Sequence, residues 1–231
     1  MEINNGTINI TTSGVSAKAI KSMGSLVIND GSITVKTTQR EAEGIESKDV
    51  LTINGGNIHV EAYDDCLNAT NAIEINGGDI YCYSTANDGI DSNGTLTITG
   101  GNVVAIGTSS PEEGIDCDNN TFKITGGTIL GIGGATSYPT SNVCTQRSVI
   151  YGGSGTQNAL FEIKTSEGKE ILSYSLPRTL QQMTLLFSSP ALETGSYSIY
   201  SNNSQLTTFS VSSMVTTVGS TGGMGPGGGR W

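Results

Sequence analysis

The sequence predicts an all-β fold, a right-handed parallel β-helix of about five to six coils with a C-terminal β-strand extension packed on it. Three observations predict it. A tight turn containing glycine recurs every 22–26 residues. Short strands of alternating apolar residues flank each turn. No spacing of three and four, the signature of a helix, runs through any repeat.

The turn pairs are Asn5-Gly6, Asp30-Gly31, Gly55-Gly56, Gly77-Gly78, Gly100-Gly101 and Gly126-Gly127. One strand precedes each pair, as in Leu51-Thr52-Ile53 and Leu96-Thr97-Ile98. Another follows, as in Ile33-Thr34-Val35 and Ile58-His59-Val60. A third short element lies between repeats: Ala19-Ile20-Lys21-Ser22, Gly44-Ile45-Glu46-Ser47, Cys66-Leu67-Asn68-Ala69, Gly89-Ile90-Asp91-Ser92 and Gly114-Ile115-Asp116-Cys117. Three strands and three turns in so few residues fit a β-helix coil. A propeller blade needs about 40 residues. A leucine-rich repeat needs a longer apolar consensus and an asparagine ladder at a fixed offset, which the sequence reads as lacking. Stacking places Ile8, Ile33, Ile58, Ile80, Val103 and Ile129 in one inward column. Leu26, Leu51, Ile73, Leu96 and Phe122 form a second, and Ile45, Leu67, Ile90 and Ile115 a third. Right-handedness follows from the strong bias of parallel connections.

Coil regularity ends near Gly133-Gly134, so residues 1–142 are expected to form the β-helix. Residues 143–213 read as a β segment packing on it, and 214–231 as a glycine-rich flexible tail. Two outward columns turn apolar toward the C-terminal coils and end in Val104, Leu130, Ile106 and Ile132. An exposed apolar face of that size is unusual, so the segment after Val143 is expected to cover it.

The formal net charge is −10. An acidic chain repels phosphate backbones, which argues against nucleic acid as a partner. No apolar run is long enough to span a membrane. The first residues carry no export signal. They fall directly into the repeat, so earlier coils and an export signal are expected to precede residue 1. Cys66, Cys82, Cys117 and Cys144 match no zinc spacing and read as small buried residues.

Aligning the third element gives two acidic columns. One runs Lys18, Glu43, Asp65, Asp88, Glu113; the other runs Lys21, Glu46, Asn68, Asp91, Asp116. Successive coils lie about 4.8 Å apart. Like charges at that distance repel by roughly 3–4 kcal/mol at an effective dielectric near 20. Three answers are available: splaying into solvent, protonation, or a cation between coils. Calcium suits oxygen donors of this kind. Zinc is disfavoured, since His59 is the one histidine. Lys18 and Lys21 stand where acids stand elsewhere, so they are expected to pair with Glu43 and Glu46. Lys48 and Lys123 lie outside the columns.

Asp88-Gly89-Ile90-Asp91-Ser92 and Leu96-Thr97-Ile98-Thr99-Gly100-Gly101-Asn102-Val103 resemble bacterial carbohydrate-binding β-helix proteins of the pectate-lyase-like superfamily. Ser188-Ser189-Pro190-Ala191-Leu192, Gly195-Ser196-Tyr197-Ser198-Ile199-Tyr200 and the Gly/Met/Pro tail are similar too. The resemblance implies a secreted or surface-exposed protein that binds calcium and plant cell-wall polysaccharides, including cellulose and pectin-like acidic sugars, without lyase activity. It carries a metal role onto Asp65, Asp88, Asp91, Glu113 and Asp116. Glu43 and Glu46 are longer and match less well. Cys66 and Asn68 depart from the pattern of the third coil.

Three functions are weighed on the residues. A non-catalytic carbohydrate-binding module would use Tyr63, Tyr81 and Tyr83 as stacking faces, although tyrosines also suit strands for packing alone. A polysaccharide lyase would need a base beside the cation, and neither Lys48 nor Lys123 sits in the ladder. A passive stalk or adhesin needs neither.

Overall fold

The computed structural model describes residues 1–221. Five full coils are followed by two strands of a sixth. The first coil holds β1 (Glu2–Ile3), β2 (Thr7–Thr12) and β3 (Ile20–Ser22). The second holds β4 (Leu26–Ile28), β5 (Ser32–Thr37) and β6 (Ile45–Ser47). The third holds β7 (Val50–Ile53), β8 (Asn57–Ala62) and β9 (Leu67–Ala69). The fourth holds β10 (Ala72–Ile75), β11 (Asp79–Ser84) and β12 (Ile90–Ser92), and the fifth β13 (Thr95–Ile98), β14 (Asn102–Ile106) and β15 (Ile115–Asp116). Then come β16 (Phe122–Ile124) and β17 (Thr128–Gly133). No helix among the described residues is long and apolar enough to cross a membrane.

The first, second and third strands of the coils stack into three parallel sheets, here sheets 1, 2 and 3. The registers are the apolar columns themselves: Ile8 pairs with Ile33, Ile33 with Ile58, Ile58 with Ile80, Ile80 with Val103 and Val103 with Ile129. Leu26, Leu51, Ile73, Leu96 and Phe122 align likewise, all fully buried. Burying one such side chain stabilises by roughly 1.5–3 kcal/mol. A single coil has no partner for its inward row, so the stack is the unit of stability.

The turn between sheets 1 and 2 shows why glycine recurs. Gly56 has φ +97°, and a Cβ there would lie 2.7 Å from the carbonyl oxygen of Gly31 in the coil before. Beside these glycines runs an asparagine ladder that the sequence alignment missed. Asn29 Nδ2 donates to Asn4 Oδ1 at 2.6 Å, Asn54 to Asn29 at 2.7 Å, and Asn76 to Asn54 at 2.9 Å. Thr99 Oγ1 ends it on Asn76 Oδ1 at 2.8 Å. Side-chain amides thus continue the hydrogen bonding of the sheets through a turn.

After the coils come β18 (Ser148–Gly155), β19 (Leu160–Thr165), β20 (Glu170–Ser175), β21 (Leu180–Ser188), β22 (Gly195–Ser201), β23 (Ser204–Val211) and β24 (Val215–Gly219). Sheet 2 continues past the last coil in the order β17-β21-β18-β24, with β21 antiparallel to both neighbours. The other four strands form sheet 4, ordered β20-β19-β22-β23. Sheet 4 packs on the outer face of sheet 2: Ile106, Leu130 and Ile132 are buried in one cluster with Phe161, Ile163, Leu172 and Phe187, and Val104 is partly buried against it. Both faces are covered there, so consecutive positions are buried, Ile129 to Gly133 in β17 and Met183 to Ser188 in β21.

One boundary moves. Strand β24 lies inside the stretch expected to be tail, because Val215 to Gly219 pair in parallel with Ser148 to Gly152 and Val218 is buried. Residues 222–231 of that stretch lie outside the described residues.

Candidate functional site

Sheet 3 carries the acidic ladder, and the structure splits it in two. Lys21, Glu46, Asn68, Asp91 and Asp116 are successive register partners. Alternation puts their side chains on the outward face. In the upper coils the charge is matched. Lys18 pairs with Glu43, and Lys21 Nζ lies 2.8 Å from Glu46 Oε2. Lys48 also pairs with Glu46, so it does serve the ladder, two residues along the same face. Glu46 is 1% exposed. Burial opposes its charge, but hydrogen bonds from Lys21 and Lys48 outweigh that and hold its carboxyl below the usual range.

The lower coils are different. Asp65 and Asp88 are buried, and Asp91 and Asp116 half-buried. One oxygen each of Asp88, Asp91 and Asp116 gathers with the other two within 4.8 Å. Burial pushes Asp65 well above the usual carboxylate range, and the charges of Asp91, Asp88 and Asp64 add to it. Burial likewise raises Asp88. Asp91 is pushed up to about 7 by burial, then by Asp116 and Asp118.

Each of these carboxylates is held by a hydrogen-bond donor. Asp65 Oδ1 accepts the Asp88 main-chain N–H at 3.1 Å, and Asp88 Oδ1 accepts that of Glu113. Asn68 Nδ2 bridges Asp65 Oδ2 at 3.2 Å and Asp91 Oδ2 at 2.7 Å. Asp116 Oδ1 accepts the Asp118 N–H at 2.6 Å and the Ser137 hydroxyl at 2.9 Å. Ser137 was not visible as a site residue in the sequence, because the sixth coil lacks the Gly-Ile-acid pattern. Its N–H nevertheless bonds to Ile115 O, which seats it as the next rung.

Of the eight residues aligned in the sequence, the structure therefore gathers Asp88, Asp91 and Asp116, with Asp65 and Asn68 at their edge. Glu43 and Glu46 belong to the lysine-paired half. Glu113 is half-buried, lends its N–H to Asp88 and stands outside the triad. The donor set is all oxygen and partly withdrawn from solvent, with one oxygen of each triad carboxylate fixed by the protein. That chemistry fits a hard cation such as calcium. The four cysteines are buried and free of disulfides, and burial pushes Cys117 up to about 12.

A second feature lies across the turn from the ladder. Tyr63, Tyr81 and Tyr83 line one open cleft of about 350 Å³ on the outer face of sheet 2, with Lys36, Glu61 and Thr85 among its other walls. The His59 ring stacks on Tyr81 at 4.8 Å between centroids, with 20° between planes. Arg178, in the connection from β20 to β21, lies 4.3 Å over the Tyr83 ring. It donates to Gly107 O at 2.9 Å and to Ser84 O at 2.5 Å, tying sheet 4 to coils four and five. Nothing in the local sequence marks this arginine, since its partners lie 71 and 94 residues away.

Comparison with curated proteins and with solved structures finds no match. Residues 1–88 match the family model described as carbohydrate-binding domain-containing protein, in agreement with the resemblance read from the repeats.

Proposed function

We propose that this chain is a non-catalytic, calcium-dependent carbohydrate-binding protein acting on plant cell-wall polysaccharides, in a secreted or cell-surface setting. The family match over residues 1–88 carries the carbohydrate reading. The calcium part rests on the carboxylates of Asp88, Asp91 and Asp116, which share one small volume. These three would supply the ion's oxygens, with Asp65 beside them. A bound dication offsets their repulsion and links neighbouring coils. It also offers a bridge to uronate carboxylates of a pectin-like ligand.

Lyase chemistry is not part of this reading. It needs a base next to the cation, whereas the charged groups that act on Asp91 are the acids Asp116 and Asp118. Lys21 and Lys48 are taken up by Glu46.

Retention on insoluble β-glucan and on pectin, with calcium and with chelator, tests the proposal. Retention on at least one polymer, weakened by chelator, is expected. Passage through every polymer in both conditions would contradict it and favour a passive stalk.

A further inference from the structure

We infer that the cleft formed by Tyr63, Tyr81 and Tyr83 is a sugar subsite that takes a neutral hexopyranose unit of a polysaccharide. This inference rests on the carbohydrate-binding reading and deepens it by assigning a place and a substrate class.

Four observations carry it. The first is shape: the cleft is open and holds about 350 Å³, in the lower range of small-ligand sites. The second is surface. Tyr63 is 37% exposed at the turn leaving β8, and Tyr81 and Tyr83 are half-buried on β11. Aromatic faces with a polar rim suit a pyranose, whose C–H face is apolar and whose edge carries hydroxyls. Thr38 and Thr85 add polar side chains to the lining, their hydroxyls donated to the main-chain carbonyls of Thr12 and of Ala62 and Tyr63.

The third observation is charge. The two ionic groups on the walls, Lys36 and Glu61, neutralise each other at 2.7 Å. His59 also lies 3.4 Å from Glu61. Arg178, over the Tyr83 ring, is spent on the main-chain carbonyls of Gly107 and Ser84, so a uronate would have to break those bonds or the Lys36–Glu61 pair to gain a cation, while a neutral sugar leaves both intact. The fourth is position. Every wall residue, Lys36 through Thr85, falls inside the stretch that matches the carbohydrate-binding family, whereas Asp91 and Asp116 lie beyond its end.

The tyrosines are held rather than free. Tyr81 is backed by His59, and Tyr83 is pinned under Arg178. Stacking faces fixed in advance lose little freedom on binding. Sheet 4 covers the same outer face of sheet 2 farther along, over β14 and β17. A polymer in the cleft therefore extends toward β5 and β2, across Thr34 and Asn9.

The test is calorimetric titration of cellohexaose and of a galacturonate oligomer into wild-type protein, Tyr63→Ala, Tyr81→Ala and Tyr81→Phe, all in calcium. Each alanine variant is expected to lose roughly tenfold or more in cellohexaose affinity, and Tyr81→Phe to retain it. Tyr63→Ala is expected to melt like the wild type, because that ring is exposed, so its loss cannot be blamed on unfolding. Wild-type affinity in both alanine variants would overturn the subsite while leaving carbohydrate binding intact. Binding of the galacturonate oligomer alone, abolished by the same variants, would overturn the neutral class. Failure of the wild type to bind either oligomer or any insoluble polysaccharide would remove the underlying reading, and the subsite with it.

Discussion

The upper and lower halves of the sheet 3 ladder solve one electrostatic problem in two ways. Both stack charged side chains at successive rungs in register. In the first two coils the neutralising charge is covalent: Lys18, Lys21 and Lys48 sit against Glu43 and Glu46. From the third coil on, Asp65, Asp88, Asp91 and Asp116 face one another, and burial raises the first three. The side-chain length matters. Glutamates reach toward long lysines, while short aspartates, fixed by main-chain N–H groups and Asn68, hold a compact oxygen cluster. A lysine ladder is complete by itself. An aspartate cluster invites a proton or a cation, and so can respond to its surroundings.

The largest expected effect breaks the upper half. Lys21→Met with Lys48→Met strands Glu46, which is 1% exposed. The cost is expected to be about 2–4 kcal/mol, after allowing for solvent around both lysines. Urea unfolding would measure it, and calcium should not restore the loss. Next is the reverse change below. In metal-free protein at pH 8, Asp91→Asn is expected to stabilise by about 1–3 kcal/mol, since it removes a carboxylate whose ionisation the fold resists.

The halves should also respond oppositely to pH. Asp91 has a folded value near 7 against 3.8 in the unfolded chain. The folded state therefore holds the extra proton between those values. The contribution of Asp91 is fully present below about pH 4 and is lost as pH rises through 7. Glu46 is lowered from 4.5, so its contribution is present above that value and is lost as pH falls. Melting scans of Lys21→Met and Asp91→Asn against wild type, from about pH 2 to pH 8 without calcium, would separate the two slopes, that of Glu46 below 4.5 and that of Asp91 between about 4 and 7. Equal slopes in all three proteins would dissolve the distinction.

A smaller effect concerns the junction rather than the ladder. Arg178→Met removes two hydrogen bonds to main-chain carbonyls and the contact with Tyr83. It is expected to cost about 1–3 kcal/mol and to raise hydrogen exchange in sheet 4 before the coils. The smallest is a control common to both halves. Asn29→Ala and Asn76→Ala each cut the turn ladder and should cost about 0.5–1.5 kcal/mol apiece, independent of calcium and pH.

The coils were legible because their signals are local and repeat. An inward isoleucine every 22–26 residues and a glycine pair beside it leave one way to stack. The aligned acids were legible for the same reason. Their division was not, because Lys48 acts from outside the aligned position and Asn68 interrupts the acids. Ser137 was hidden because its coil has lost the motif, and Arg178 because it works across the fold. The asparagine ladder was overlooked because asparagine before glycine reads equally well as turn chemistry. Strand β24 is short and leads into the glycine-rich end, and its pairing with β18 is a tertiary matter that its own residues do not show.

The most direct measurement is scanning calorimetry with rising calcium, on wild-type protein and on Asp88→Asn with Asp91→Asn, starting from chelated samples. The wild type is expected to gain about 5 °C or more as calcium saturates, and the double variant to gain nothing. A wild type that melts at one temperature from chelator to millimolar calcium, or a double variant that shifts as much as the wild type, would contradict the proposal that the lower ladder is a calcium site.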